Sequence, residues 1–227
     1  MTASLTLDFF HDVVCCWCFN ISSRMRSLAV EFDLDIRHRT FVLQASRAEM
    51  AERCGRPAKA RETILGHWSA CRQESDRPEL VDIEAMRAAP FDYPHGMTAA
   101  LACKAAEQLG GQSAHWDMFD RLQLAHLAEA RNIADPETVL QLARESGHDA
   151  ATFARSFGDP ATARAVEADR QLARSLQVRS VPTLIVRDTG ARLANGPRED
   201  LAAQLLQALG CTPDPEICPC PAPPTFC

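Results

Sequence analysis

No stretch of this sequence is apolar for long enough to cross a bilayer: its longest apolar run, Val13 to Phe19, falls far short of the roughly 20 residues a membrane helix needs. The opening residues MTASLTLDFF lack the basic segment and the cleavage site of an export signal, so the expected address is the cytoplasm. A basic stripe is missing as well. Lys and Arg are scattered among acids and the formal net charge is −6, which argues against nucleic-acid partners. There is no internal repeat, and the seven histidines show no ligand spacing. With 227 residues, 46% hydrophobic and 24% charged, the chain is expected to fold around a core of its own without disulfide staples.

Cysteine, by contrast, is plentiful for a reducing compartment, and its positions say more than its number. Of ten cysteines, Cys15, Cys16 and Cys18 sit together, Cys54, Cys71 and Cys103 are dispersed, and Cys211, Cys218, Cys220 and Cys227 crowd the end. Clusters at both ends point to thiol chemistry and not to a scaffold. The dispersed three read as packing residues, since free cysteine behaves as a small buried hydrophobe.

Leu5 to Phe10 reads as a short buried strand. Ile21, Met25, Leu28 and Phe32 then recur at the spacing of one helix face, and Leu34 to Leu43 alternates as a second strand. A strand, helix, strand unit of this length implies a right-handed parallel crossover. From about residue 45 to residue 159 the chain turns rich in Ala, Glu, Arg and Leu, with helices expected over Pro57 to Gln73, Gly96 to Leu109, Trp116 to Arg131 and Pro136 to Ser146, the last capped by Asp135. A further helix is expected from about Ala161 to Gln177. Strand signals return at Pro182 to Arg187 and Arg192 to Ala194 around a turn at Asp188-Thr189-Gly190, and a last helix runs from Arg198 to Leu209. This order is that of an α/β thioredoxin-like fold carrying an inserted α-helical domain: residues 1–44 and 160–210 form the two halves, 45–159 the insertion, and 211–227 a Cys- and Pro-rich tail.

Cys15-Cys16-Trp17-Cys18 falls where the first strand hands over to the helix. Disulfide exchange needs an attacking thiolate, a second thiol close enough to resolve the mixed disulfide, and a means of holding sulfur ionised. A C-x-x-C pair at a helix start meets all three needs, because the helix N-terminus favours a negative sulfur by roughly 0.3–1 kcal/mol. Cys15 is the expected nucleophile and Cys18 the buried resolver. Cys16 is a third thiol, open to shuffling with the pair or to attacking in its place. Trp17 is placed to shape access, and Asp12 either tunes protonation of the dithiol or caps the turn. The second element is Ser180-Val181-Pro182-Thr183, where a cis bond before Pro182 leaves the Val181 backbone free to pair with an extended substrate.

Four segments together, Asp12-Val13-Val14-Cys15-Cys16-Trp17-Cys18, Ala125 to Ile133, Ser180-Val181-Pro182-Thr183 and Asn195-Gly196-Pro197, resemble the DsbA-like thioredoxin superfamily, in particular its cytoplasmic branch named for FrnE. The resemblance spans about Leu5 to Leu209. It implies a thioredoxin domain interrupted by helices, dithiol–disulfide exchange with protein or small-molecule thiol substrates, and a cis-proline at Pro182 facing the dithiol. Cys16 stands where the family usually has proline and Phe19 where it often has tyrosine, so the resemblance leaves open whether the chain oxidises, reduces or isomerises.

Two alternatives stand beside this expectation. The 2-hydroxychromene-2-carboxylate isomerases and kappa-class glutathione transferases resemble the chain in layout but activate glutathione with a serine where this sequence has its cysteines. The tail offers a reading from another class, a metal-binding or interaction module in which Cys211, Cys218, Cys220 and Cys227 hold zinc, form disulfides or act as an accessory thiol pair. Their spacing is not that of paired zinc knuckles. No cofactor is required by the dithiol reading; glutathione is the candidate thiol partner.

Overall fold

The computed structural model describes residues 5–210; the tail cysteines Cys211, Cys218, Cys220 and Cys227 lie outside them. Strand β1 (Leu5–His11) buries nearly every residue, as a central strand with both faces covered must. Helix α1 (Cys16–Glu31) follows and leads to β2 (Leu34–Thr40), which pairs parallel with β1 from Leu5 opposite Leu34 to His11 opposite Thr40. The parallel crossover is therefore as expected, although β2 ends at Thr40 because Val42 takes φ +60° and the chain leaves the sheet.

Helical segments come next: α2 (Arg47–Cys54), α3 (Pro57–Gln73), α4 (Ile83–Ala88), α5 (Met97–Leu127), α6 (Pro136–Glu145), α7 (Ala150–Gly158) and α8 (Pro160–Ser175). Ser46, Asp82, Asp135, Asp149 and Asp159 each accept a backbone N–H of the following first turn, which satisfies one of the donors a helix start leaves unpaired. The helices α2, α4 and α7, of 8, 6 and 9 residues, are not among the expected ones; they are short. The two helices expected on either side of Gly110-Gly111 run on as α5 with a break at those glycines, Gly111 adopting φ +71° and ψ −162°, a conformation that only glycine takes without strain. Its end comes at Leu127, ahead of the expected Arg131, where Ala130 turns to φ +47°.

The chain closes with β3 (Thr183–Val186), β4 (Arg192–Leu193) and α9 (Arg198–Ala208). Strand β3 pairs antiparallel with β1 and with β4, giving the order β2-β1-β3-β4. One core, built from Leu7, Phe9, Ile21, Met25, Leu28 and Leu201, joins the sheet to α1 and α9; it contains the helix face read from the sequence. A larger core of Leu65, Trp68, Met118, Phe119, Leu122 and Leu142 fills the helical region and continues under the dithiol through Val13, Val14 and Cys18. No helix of the described residues is long and apolar enough to cross a membrane.

The sheet and the helices are locked by a buried ionic network. Asp169 of α8 accepts from the Thr40 backbone N–H at 2.9 Å and pairs with Lys104 of α5 at 2.7 Å and Arg39 of β2 at 3.3 Å. Asp8 of β1 binds Arg39 and Arg187 at 2.8 Å each. Buried charges persist only when paired and hydrogen-bonded, and here each one is.

Candidate active site

After His11 the chain turns through Asp12-Val13-Val14, and Cys15 takes the N-cap position of α1 at φ −89°, ψ 107°. Its N–H bonds to the Asp12 carbonyl at 3.1 Å, and its own carbonyl accepts from Cys18 N at 3.0 Å. The first turn holds no acidic residue and Cys15 makes no side-chain cap, so no side chain of that turn offsets the positive helix end.

Cys15 Sγ points at the Val181 carbonyl, 3.6 Å away, and the Val181–Pro182 bond is cis. The structure thus brings the two motifs, separated by 166 residues in sequence, into contact. Cys18 lies behind, fully buried while Cys15 retains 8% exposure. Burial pushes the Cys18 thiol well above its ordinary range, and its hydrogen bond with Cys15 adds to this. Among the described residues all six cysteines are reduced.

Asp12 is buried as well, and desolvation raises its carboxyl to about 6 despite the backbone bonds that favour the charge. Those bonds come from Leu43 N at 2.5 Å and Val14 N at 3.3 Å. The carboxylate therefore tethers the dithiol turn to the segment after β2. It fits because residue 96 is glycine: a Cβ there would lie 2.6 Å from Oδ2 and 2.9 Å from Cγ.

The carbonyls of the turn are held from the helical side. Gln123 of α5 donates to Val13 O at 3.3 Å and Cys15 O at 2.9 Å. Tyr93 Oη lies 3.3 Å from Val14 O, 3.1 Å from Trp68 Nε1 and 3.0 Å from His126 Nε2. Trp68 can only donate, so the network closes when His126 is neutral with its proton on Nε2 and Tyr93 donates to Val14 O. Burial depresses His126 to about 3, consistent with the neutral ring. Nothing in the sequence marks Tyr93, Gln123 or Trp68 for this network, Gly96 reads only as a helix start and His126 only as part of a longer motif, because their partners lie far away along the chain.

Cys16 faces α3, not the dithiol. Its thiol approaches His67 O at 3.9 Å, and hydrogen bonding with Cys71 together with burial drives it far up. Asn20, one turn on in α1, donates to Cys71 O at 3.2 Å and Sγ at 3.4 Å. Cys71 is thus more than packing. Cys103 is buried, while Cys54 is half-exposed on the wall of a cleft of about 390 Å³ that opens over Cys15 and Cys16, with Trp17, Leu43, Ile64 and Trp68 as apolar walls.

A dithiol at the head of the first helix, faced by a cis-proline loop beside a four-stranded mixed sheet, defines a protein of the thioredoxin class. The family model of the DSBA-like thioredoxin domain matches residues 6–207, and the chain belongs to that family, which is generally one of thiol–disulfide oxidoreductases. It is 27% identical over 181 residues to the ClpXP adapter protein SpxH of Shouchella clausii, covering 80% of this chain and 57% of that protein; the chain thus spans little more than half of that relative's length. Among solved structures it resembles the cytosolic disulfide reductase DsbM of Pseudomonas aeruginosa, at 25% identity and TM-score 0.68 over 91% of this chain and 99% of that one, a protein also solved with GSH. A 2-hydroxychromene-2-carboxylate isomerase superposes with TM-score 0.60 at 15% identity, covering 90% and 94% of the two chains, a likeness of fold alone.

Proposed function

We propose that the chain is a cytoplasmic disulfide reductase that works through Cys15 and Cys18, with glutathione as the thiol that recharges it. The observation that carries this reading is the placement of Cys15 Sγ at a helix N-terminus, against the Val181 carbonyl, at the mouth of an apolar cleft. The Cys15 thiolate attacks one sulfur of a substrate disulfide; the substrate S–S bond breaks, a Cys15–substrate disulfide forms, and the other substrate sulfur leaves as a thiolate. Cys18, whose thiol is kept protonated by burial, gives its proton to a departing sulfur and attacks Cys15, releasing the second thiol and leaving the Cys15–Cys18 disulfide. Two glutathiones then reduce that disulfide and depart as the oxidised dimer, so two electrons pass from glutathione to substrate. The apolar walls suit an unfolded or extended peptide, whose backbone can pair with that of Val181 beside Pro182. The likeness to a reductase solved with GSH supports glutathione as the donor.

The test is dithiothreitol- and glutathione-driven reduction of insulin by wild type, Cys15→Ser and Cys18→Ser. Activity in wild type with none in Cys15→Ser supports the reading. Inactive wild type that binds glutathione tightly would overturn it in favour of a glutathione-dependent isomerase or transferase. Repeating the assay on a chain ending before Cys211 shows whether the tail thiols assist, and metal analysis of the same pair tests them as a zinc site.

A further inference from the structure

Beneath the dithiol turn lies a cluster that the exchange reaction does not use. His11 ends β1, His38 lies on the neighbouring β2, and His115 comes down from α5. All three rings are buried, and one donor atom from each lies within 4.8 Å of the others. His11 Nε2 and His115 Nε2 are 3.2 Å apart. Three ring nitrogens, His11 Nδ1 and both of His38, have no hydrogen-bond partner, although buried polar atoms almost always have one.

Two imidazole nitrogens bound to one tetrahedral zinc ion at 2.0–2.1 Å stand about 3.3 Å apart, close to the separation of His11 and His115. His115 Nδ1 is held by Glu107 Oε2 at 2.7 Å, the carboxylate-behind-imidazole arrangement that orients metal-binding histidines. Glu107 is fixed in turn by Gln112 at 3.0 Å and Lys104 at 2.7 Å, and Gln112 also accepts from the His38 backbone N–H at 2.6 Å. Lys104 has its charge offset by Glu107 and Asp169 at 2.7 Å each. Three imidazoles without a hard oxygen donor select zinc or its borderline neighbours over calcium or magnesium.

We propose that His11, His38 and His115 form a buried site for a divalent transition-metal ion of the zinc class, with Glu107 positioning His115 and a water completing the coordination. The ion would tie β1, β2 and α5 together below the turn that carries Cys15. Because the site is enclosed, it loads as the chain folds.

The experiment is to refold the full chain with cobalt(II), remove excess metal by gel filtration, and record metal content and visible absorption. Expected are one retained cobalt per chain, displaced by zinc, and the d–d bands of a tetrahedral ion without a thiolate-to-cobalt charge-transfer band, which separates this site from any cysteine site. His38→Gln should lose the retained cobalt; Glu107→Gln, which keeps all three ligands, should weaken retention about 10–100-fold and serves as the second variant, with circular dichroism confirming that both fold. Absence of retained cobalt in wild type, or a d–d spectrum unchanged in both variants, would overturn the proposal.

Discussion

Gly96→Ala reverses the usual effect of that substitution. Gly96 has helical dihedrals, φ −79° and ψ −16°, and at a compatible site Gly→Ala normally stabilises by about 0.4–1 kcal/mol through the unfolded chain. Here the added Cβ would lie within 2.6 Å of Asp12 Oδ2, and the carboxylate cannot retreat without giving up Leu43 N at 2.5 Å. Losing a hydrogen bond to a charged group and stranding its donor costs about 3 kcal/mol, so the net is a destabilisation of about 2 kcal/mol. For a chain of this size that amounts to about 4–8 °C in Tm. Gly66, inside α3 with nothing within 4 Å of the place its methyl would take, is the control: Gly66→Ala should gain about 1 kcal/mol. Urea unfolding of the two variants measures both shifts, and insulin reduction should fall only in Gly96→Ala, since the displaced carboxylate also holds Val14 N in the dithiol turn. A Gly96→Ala protein as stable as wild type would refute the tether.

Cys18→Ser should trap a mixed disulfide through Cys15 when mixed with an oxidised peptide, seen as an adduct by mass spectrometry and released by dithiothreitol; an adduct on Cys16 would reassign the nucleophile. Tyr93→Phe strands the Trp68 indole N–H and the Val14 carbonyl and should cost about 1–3 kcal/mol in urea unfolding. Asp169→Ala removes a carboxylate shared by Lys104, Arg39 and Thr40 and should cost about 3–5 kcal/mol, because the buried Lys104 and the half-buried Arg39 are left with one partner fewer. His126 has an ordinary value of 6.5 but is held at about 3 in the fold. Between those values the unfolded chain binds a proton that the folded chain refuses, so stability falls as pH drops below 6.5, by up to about 1.4 kcal/mol per unit for this one group. In His126→Gln the slope of stability against pH should be shallower by that amount; an unchanged slope would show that the ring is not the group refusing the proton.

The dithiol at the head of α1, the parallel β1-α1-β2 unit and the break at Gly110-Gly111 could be read without coordinates because each depends on neighbours a few residues away: a helix cap, a period of 3.6, a glycine that takes φ above zero without strain. Cys15 as the more accessible thiol and Cys18 as the buried one also follow from position on a helix start. The short helices α2, α4 and α7 escaped because two or three turns between caps stand out poorly from loop sequence, and β2 stopped early because Val42 turns the chain in a way its residue type does not announce.

What joins those local pieces is invisible along the chain. Cys71 looked like packing until α3 set it against Cys16, 55 positions away in number. Asp12 could have capped a turn or tuned a thiol, and it acts as a tether only because Leu43 and Gly96 converge on it. His11, His38 and His115 share no spacing, yet two adjacent strands and one helix bring their rings together. The sequence by itself determined the longer elements and the thiol pair, since caps and periods are short-range. The tertiary structure alone decided which side chains meet, since that depends on how twisted sheet and helix faces pack over many tens of residues.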